Sequence, residues 1–289
     1  MRELAGKTAV VTGAGSGIGL GLARSFAREG MAVVLCDIRG DRLDGALAQV
    51  RALGARAVAV PTDVSDRTAV EQAAREAQRA FGDIHVVCNN AGVAIHGKSV
   101  AELTAQEWDW IIGVNLYGVI HGIQTFLPLI RAHGGEGHIV NTASIAGFQV
   151  RPGRRSGAYA ATKYAVVALS ESLAQDLADG PIGVSVLAPA AVNTRIYLSV
   201  ENRPARFGGP SATAGSNRLQ HELKAGLDPD AVGERVVGAI RARELFVFTH
   251  METKAWLDER HGRIVDAFGE CKRWVADAGN AAGKQGGSG

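Results

Sequence analysis

The stretch TAVVTGAGSGIGLGLARSFAREGMAVVLCD, residues 8–37, decides the fold of this 289-residue chain. It opens with an apolar, β-branched run that ends in glycine, which is typical of a buried strand. After the glycines, Ile18, Leu22 and Phe26 recur at helical spacing, and the apolar run 31–37 predicts a second strand. Two strands joined by a helix over about 30 residues indicate a βαβ unit, in which the strands are parallel.

The turn between the first strand and the helix contains Gly13, Gly15, Gly17 and Gly19. The G-x-G-x-x-G pattern cannot be placed on this spacing, whereas T-G-x-x-x-G-x-G fits from Thr12 onward. Glycines in such a turn let backbone N–H groups approach a pyrophosphate, which then lies at the positive N-terminus of the helix. The stretch therefore predicts a dinucleotide site, and the alternative is an ordinary flexible turn.

Asp37 ends the second strand, at the place where an acidic residue accepts hydrogen bonds from an adenosine ribose. A carboxylate there would repel the additional phosphate of NADP, so we expect NAD as the cofactor. Arg39 is close enough in sequence to pair with that phosphate, which leaves NADP as the less favoured choice. The alternative role for Asp37 is that of a turn residue or helix N-cap.

Strands and helices alternate along the rest of the chain. The pattern predicts helices at 41–53, 66–80, 104–132, 157–178 and 229–242, and strands at 56–60, 84–88, 137–143, 183–189 and 244–248. This alternation predicts an α/β fold, a Rossmann-type, doubly wound parallel sheet of about seven strands in a single domain. We place the domain at residues 1–250, with a substrate loop at 190–227. A helical extension at 251–278 and a disordered tail at 279–289 would follow.

A second decisive stretch, SIAGFQVRPGRRSGAYAATK, covers residues 144–163. Tyr159 and Lys163 lie four residues apart in a predicted helix and so share one face. The ammonium is expected to lower the pKa of the phenol from about 10, so that the phenol exchanges a proton near neutral pH. Ser144 ends a predicted strand, where its hydroxyl could bind a carbonyl that the tyrosine protonates. The alternative is an ordinary Tyr and Lys on one helix face.

Together these residues resemble the short-chain dehydrogenase/reductase family. The matching motifs are Thr12-Gly13-x-x-x-Gly17-x-Gly19, Asp63, Asn89-Asn90-Ala91-Gly92, Asn115, Ser144 and Tyr159-x-x-x-Lys163. They occur in the order and at the separations of the family, over about residues 5–248. The resemblance implies four catalytic residues: Tyr159 as general acid/base, Lys163 on the nicotinamide ribose, Ser144 on the substrate oxygen, and Asn115 holding a water in a proton relay. From the sequence alone, Asn115 could equally serve as a helix–helix hydrogen-bonding group.

The resemblance also implies a set of cofactor contacts. They are Gly13, Ser16, Gly17, Ile18, Gly19, Asp37, Asp63, Val64, Asn90, Ala91, Gly92, Tyr159, Lys163, Pro189, Val192 and Thr194. One departure is visible after the sixth strand, where the family has Pro-Gly-x-x-x-Thr and this chain has Ala190 in place of the glycine. Alanine fits there if the backbone keeps a negative φ.

A finer similarity concerns the substrate. The segments DWIIGVNLYGVIHGIQTFLPLI and GHIV, with Pro189-Ala190, are similar to NAD-dependent Cα-dehydrogenases that act on benzylic alcohols of lignin-type aryl ethers. This similarity implies a bulky or aromatic secondary alcohol or ketone as substrate, surrounded by Phe148, Val150 and the segment 193–226. Arginines at 151, 154, 155, 195, 203, 206 and 218 either bind an anionic substrate or are solvated loop charges.

Two competing functions remain. An NADPH-dependent reductase of ketoacyl or polyketide substrates is opposed by Asp37. A non-catalytic dinucleotide-binding protein would not need the four catalytic side chains, which are all present.

Composition excludes several other classes. A net charge of +2 argues against nucleic-acid binding, and the histidines show no metal-ligand spacing, so we expect no metal. Cys36, Cys88 and Cys271 form no C-x-x-C pair, which fits a reducing cytoplasm. We see no signal peptide and no apolar run near 18 residues, and therefore expect no membrane contact. The apolar residues of helices 104–132 and 157–178 exceed what one face needs, which predicts a homodimer or homotetramer.

Overall fold

The computed structural model of the chain describes residues 1–211 and 217–285, and a parallel sheet forms its core. The strands are β1 Thr8–Thr12, β2 Ala32–Asp37, β3 Ala57–Pro61, β4 Val86–Asn89, β5 Gly137–Thr142, β6 Ile182–Ala188 and β7 Phe246–Phe248. The helices are α1 Gly17–Arg28, α2 Gly40–Ala52, α3 Arg67–Phe81, α4 Ala105–Ile112, α5 Gly118–Ala132, α6 Gly157–Asp176, α7 Asn217–Lys224, α8 Pro229–Ala242 and α9 Lys254–Gln285. The predicted α/β fold with seven parallel strands is confirmed.

The order of the strands in the sheet is β3-β2-β1-β4-β5-β6-β7. The chain winds outward from β1 in one direction and then returns to add β4 on the other side, so the winding reverses between β1 and β4. In an open α/β sheet, the crevice at such a reversal, at the carboxyl ends of the strands, is where ligands bind. Thr12, Asn89 and Thr142 end three neighbouring strands at this edge.

Apolar side chains cover both faces of the sheet. Val10 and Val34 belong to a core cluster on one face, and Val11 and Leu35 belong to a cluster on the other. Strands that are buried on both faces read as continuous apolar runs, which explains why the sequence signals them strongly. Cys36 and Cys88 lie in this core.

Two predicted elements differ in detail. The helix expected at 104–132 contains a π-helical turn, Gly113–Tyr117, in which the Gly118 N–H donates to the carbonyl of Gly113 five residues earlier. The loop expected at 190–227 contains two 3₁₀ helices, Ile196–Asn202 and Ala205–Phe207, as well as α7, while residues 212–216 lie outside the described part. Short helical turns of this kind carry little periodicity, so the sequence pattern does not signal them.

Two compact units divide the chain, Met1–Thr249 and His250–Gly289. The second unit contains a 3₁₀ turn, Met251–Thr253, followed by α9. The helix passes residue 279, where we expected a disordered tail, and continues to Gln285. Adding residues to a helix that already exists costs far less than starting one, and two alanines stand in this stretch. Residues 286–289 lie outside the described part.

Among the described residues, one segment is long and apolar enough on length and composition to cross a membrane, Ala105–Ala132. The sequence expectation overlooked this segment. In the fold, more than half of it is buried, and α5 packs against α3, β4 and β5. A core helix passes the same test, so the segment is weak evidence for a membrane span.

His138 lies fully buried in β5, and its protonation should limit stability in acid. Its Nε2 is 2.8 Å from Ser185 Oγ, and the Ser185 hydroxyl donates its hydrogen bond to the carbonyl oxygen of Glu244. Nε2 therefore carries the hydrogen, and Nδ1 is buried without a partner. Burial lowers the pKa of this imidazole to about 3.

We expect His138 to make the free energy of unfolding fall as the pH drops below about 6.5. In that range the unfolded chain binds a proton that the folded chain cannot take up, which costs about 1.4 kcal/mol per pH unit. Urea unfolding between pH 5 and 6 should show a shallower pH slope for His138→Gln than for the wild type. Equal slopes would contradict this assignment.

Candidate active site

The glycine turn after β1 has a backbone that other residues would not adopt readily. Gly13 and Gly17 have positive φ angles of 67° and 55°, a conformation that favours glycine. A Cβ on Gly19 would lie 2.1 Å from the carbonyl oxygen of Gly13. The motif therefore packs the first turn of α1 directly onto the loop and leaves the helix N-terminus open towards a cleft at the carboxyl edge of the sheet.

This cleft brings together most of the cofactor contacts expected from the sequence. Its lining includes Gly13, Ser16, Gly17, Ile18, Gly19, Asp37, Asp63, Val64, Asn90, Ala91, Gly92, Tyr159, Lys163, Pro189 and Thr194. Val192 is placed differently, because it is buried in the core and forms a bridge with Leu227. Asn115 and Ser144 are buried at the side of the cleft and do not line it.

The carboxylate of Asp37 holds two backbone groups at the end of the cleft. One oxygen accepts a hydrogen bond from Gly15 N at 3.0 Å, and the other accepts one from Arg39 N at 2.9 Å. Each oxygen keeps a further lone pair for a ligand. A Cβ on Gly15 would lie 2.9 Å from Asp37 Oδ2, so this glycine, which is outside the motif, is required by packing.

Two arginines lie near Asp37. The guanidinium of Arg39 donates to both oxygens of Asp41, at 2.7 and 2.6 Å, and to Asn202 Oδ1 at 3.0 Å. Arg42 and Asn202 both line the cleft. Sequence reasoning missed these two residues, because the contact of Asn202 with α2 joins positions about 160 residues apart and has no local signal.

Thr12 ties the segment after β4 to the end of β1. Its hydroxyl donates to Cys88 O at 3.2 Å and accepts from the N–H groups of Asn90 and Ala91 at 2.9 and 3.0 Å. The Asn90 amide donates back to Thr12 O at 2.9 Å. The threonine of the glycine motif thus positions one wall of the cleft.

Asn115 projects from the π-helical turn and holds the next part of that wall. Its amide oxygen accepts from Val93 N at 2.8 Å, and its amide nitrogen donates to Val93 O at 2.9 Å and to Thr162 Oγ1 at 3.1 Å. A Cβ on Gly92 would lie 3.5 Å from both Asn115 Oδ1 and Lys163 Nζ. Asn115 therefore joins the segment after β4 to α6, beside the lysine.

Tyr159 and Lys163 line the cleft, and the buried Ser144 lies next to Tyr159. The Ser144 hydroxyl hydrogen-bonds the Tyr159 phenol and also lies 3.4 Å from Pro189 O. Lys163 Nζ donates to Thr142 O at 2.8 Å and lies 5.6 Å from the centroid of the tyrosine ring. The structure therefore brings these three predicted side chains close to one another.

The electrostatics of this group differ from the expectation. Burial raises the pKa of Tyr159 to about 12, and the hydrogen bond from Ser144 opposes this increase. Burial lowers the pKa of Lys163 to about 8. The predicted lowering of the Tyr159 pKa was wrong for this structure, because burial disfavours the charged phenolate by more than the Ser144 hydrogen bond favours it.

The arginines near the predicted substrate region are largely paired. Arg154 contacts Glu222 at 2.7 Å, Arg155 contacts Glu102 at 2.6 Å, Arg203 lies 3.7 Å from Glu107, and Arg206 contacts Asp63 at 2.6 Å. These pairs favour a structural role over anion binding. Phe148 packs against Phe248 and Phe246 of β7, with ring centroids 5.2 and 6.0 Å apart.

The sequence comparison identifies the family. The protein-family model described as short chain dehydrogenase matches residues 7–204 of the sequence. This chain belongs to the short-chain dehydrogenase family. It is therefore an oxidoreductase, and the family binds NAD or NADP.

Several relatives resemble this short-chain dehydrogenase over most of its length. A short-chain dehydrogenase/reductase from Burkholderia phymatum, solved in complex with NAD, is 39% identical, with a TM-score of 0.86, over 91% of this chain and 96% of that one. The C alpha-dehydrogenase of Sphingobium sp. (strain NBRC 103272 / SYK-6) is 33% identical over 92% of this chain and 88% of that one. The 1-deoxy-11-beta-hydroxypentalenate dehydrogenase of Streptomyces avermitilis is 34% identical over 93% of each. Other solved relatives contain NADP.

The residues of this dehydrogenase fit a nicotinamide dinucleotide. The N-terminus of α1 offers backbone N–H groups for a pyrophosphate, and the positive-φ glycines let it approach. Asp37, Tyr159 and Lys163 all line the same cleft.

Proposed function

We propose that this dehydrogenase interconverts a bulky or aromatic secondary alcohol and its ketone, with NAD(H) as the cofactor. The observation that carries the proposal is that Tyr159, which is hydrogen-bonded to Ser144, and Lys163 line the same cleft as the glycine turn. When bound, the cofactor supplies the hydride acceptor or donor. The protein supplies proton transfer, orientation and exclusion of water.

Tyr159 is the proposed general acid/base. In alcohol oxidation, its phenolate takes the hydroxyl proton, and in ketone reduction its phenol returns a proton to the carbonyl oxygen. Ser144 has one hydroxyl proton, which can be directed towards the phenol, the Pro189 carbonyl or a substrate oxygen. This choice lets Ser144 hold the substrate oxygen beside Tyr159.

Lys163 and Asn115 support this chemistry in the proposed mechanism. Lys163 Nζ uses one N–H on Thr142 O and keeps two for a ribose hydroxyl and for stabilising the phenolate. Asn115 fixes the backbone at Val93 and lies against the same glycine as Lys163 Nζ. We assign to Asn115 the positioning of a proton-relay water between that lysine and solvent.

The substrate class rests on the relatives. By their names, one curated relative is a dehydrogenase that acts at a Cα carbon, and the other is a dehydrogenase of an 11-beta-hydroxylated compound. Full-length similarity to them supports a bulky secondary alcohol. The cleft continues from Gly92 to Trp110, Val114 and Ile196, which gives it an apolar wall suited to such a substrate.

NAD is proposed over NADP because the Asp37 carboxylate faces the cleft where the extra phosphate of NADP would come. Arg39, which could otherwise bind that phosphate, already donates to Asp41 and Asn202. We expect Asp37→Ala to lower the ratio of kcat/KM with NAD to kcat/KM with NADP by at least about tenfold, equivalent to about 1.4 kcal/mol.

Asp44→Ala is the matched control for this substitution. It removes an exposed carboxylate from the same region of the chain without touching the cleft. An unchanged cofactor ratio in Asp37→Ala would mean that Asp37 only holds the Gly15 and Arg39 backbone.

Formation of NADH at 340 nm tests the function itself. The panel should contain aliphatic, steroidal and benzylic secondary alcohols, each with NAD and with NADP. Turnover with NAD on the benzylic or another bulky class is the expected result. NAD binding with no turnover on any alcohol would favour the non-catalytic alternative.

A second candidate, an NADPH-dependent reductase of ketoacyl substrates, is favoured by one observation. Arg42 lines the cleft, donates to Asn202 Oδ1 at 3.5 Å, and could meet a phosphate. Preferential turnover with NADPH in the same panel would select this candidate.

The setting of the enzyme is also a proposal. We assign catalysis to residues 1–250 and treat 251–278 as an extension. Cytoplasmic location is supported by the two buried free cysteines, Cys36 and Cys88. A homodimer or homotetramer through the segments of α4, α5 and α6 is supported by exposed Tyr117 between α4 and α5.

A further inference from the structure

Helix α9 presents apolar side chains to solvent between residues 263 and 277. Every residue from Arg263 to Asp277 is exposed, including Phe268 and Trp274 at 71% and Val275 at 56%. Gly262 and Gly269 each cost about 1 kcal/mol relative to alanine within a helix. Because helical stability in proteins comes mostly from packing an apolar face, this helix is expected to have a partner.

Five apolar residues and His261 follow the spacing of a coiled-coil seam. Steps of four and three residues alternate along Leu257, His261, Ile264, Phe268, Cys271 and Val275. A shallow groove on the helix is lined by Ile264, Ala267, Phe268 and Cys271, flanked by Arg260 and Arg263. The first four occupy positions i, i+3, i+4 and i+7, the four-residue hole that receives one side chain of a facing helix.

We propose that α9 pairs in antiparallel orientation with α9 of a second copy of this chain. The seam, defined by the six residues from Leu257 to Val275, is self-complementary in one register. In that register, Ile264 faces Phe268 of the partner subunit, His261 faces the partner's Cys271, and Leu257 faces the partner's Val275. A two-fold axis near residue 266 makes each of these contacts occur twice, as expected for an isologous interface.

Charges beside the seam support this orientation. Asp258 and Lys272 follow seam residues 257 and 271 directly, on the same side of the seam. In the antiparallel register, Asp258 faces the partner's Lys272 on both sides of the axis. Asp258 also contacts Lys254 of its own helix at 2.7 Å, and a carboxylate can accept from both. In a parallel pair these two charges would not meet.

The charge balance of α9 disfavours a membrane surface as the occupant. Interfacial helices carry a polar face rich in Lys and Arg. Between residues 254 and 277, the basic residues Lys254, Arg260, Arg263, Lys272 and Arg273 are equalled in number by Asp258, Glu259, Asp266, Glu270 and Asp277. Balanced charge suits a second copy of the same helix better than an anionic lipid surface.

Cysteine crosslinking in the full chain tests the register. His261→Cys places a thiol opposite Cys271 of the partner subunit, and a short bis-maleimide should then give a covalent dimer at least about tenfold faster than in the wild type. In the wild type, the two Cys271 residues would be separated by about 15 Å along the helix axis, from the helical rise. Cys36 and Cys88 are buried, so Cys271 is the exposed thiol. Glu259→Cys, on the outer face, is the matched control.

Each result decides the proposal. Fast crosslinking of His261→Cys that is lost on adding Phe268→Glu supports the antiparallel seam. No crosslinking of His261→Cys, equally fast crosslinking of the wild type or the control, or crosslinking that survives Phe268→Glu would overturn it. Binding to phosphatidylserine-containing vesicles without crosslinking would assign α9 to a membrane instead. Because the readout is covalent dimer and not turnover, the result is independent of the proposed function.

Discussion

Tyr159→Phe is expected to lower kcat for alcohol oxidation by roughly a thousandfold, within the range of general acid/base catalysis. The substitution removes the phenolic oxygen that hydrogen-bonds Ser144 and keeps the ring that occupies the buried site. Initial rates at 340 nm, together with NAD affinity from fluorescence titration, measure the effect.

Binding and catalysis should separate in this variant. NAD affinity should stay within a few fold of the wild type, because the phenyl ring still fills the cleft wall. Tyr164→Phe, which removes a phenolic oxygen one residue beyond Lys163 and away from the cleft, is the matched control and should retain activity. Near-normal turnover of Tyr159→Phe would refute the proton-transfer role of Tyr159.

Lys163→Met should move the pH dependence of alcohol oxidation to higher pH. The ammonium lies 5.6 Å from the Tyr159 ring, and a cation at 4–6 Å changes the pKa of an acid by about one to three units. Without it, the phenolate forms at higher pH, so kcat/KM at pH 7 should fall by about ten- to a thousandfold. The rising limb of log(kcat/KM) against pH gives both quantities.

The direction of this shift distinguishes an electrostatic role from a structural one. Losing the contact with Thr142 could lower activity by disturbing the cleft, but it would not move the limb. Lys7→Met makes the same substitution at the opposite edge of the sheet and should leave the profile unchanged. A lower rate with an unmoved limb would assign Lys163 to cofactor binding or structure alone.

The fold was predictable because its signals are local and periodic. Continuous apolar strands such as 8–12 and 32–37 alternate with helices, and only a parallel sheet covered on both faces uses strands of that composition. The reversal of the winding between β1 and β4 then determines where the cleft lies. Tyr159 and Lys163 were likewise predictable, because one helical turn fixes their relative position.

The features that the sequence did not reveal depend on distant contacts. Asn115 projects from a π-helical turn and bonds the backbone of Val93, a contact that the sequence cannot show. Asn202 reaches Arg39 from a 3₁₀ helix far along the chain. Val192 was expected beside the cofactor and is buried, since its bridge to Leu227 turns this part of the chain into the core.

The pKa shifts in the site could not be predicted from the sequence either. The four-residue spacing suggested that Lys163 would lower the pKa of Tyr159. The direction of that pKa shift, however, depends on how deeply each side chain is buried away from water. Both side chains are deeply placed, and burial dominates both pKa shifts. That balance is a property of the folded cleft, not of the four-residue spacing.

Transfer of deuterium tests the central claim most directly. A benzylic secondary alcohol that turns over, deuterated at the carbinol carbon, should be incubated with the enzyme and NAD, and the reduced cofactor analysed by mass spectrometry. We expect NADH that carries one deuterium, in an amount equal to the ketone formed. Ketone without deuterated NADH, or NAD binding with neither product for any such alcohol, would contradict the assignment of this chain as an NAD-dependent secondary-alcohol dehydrogenase.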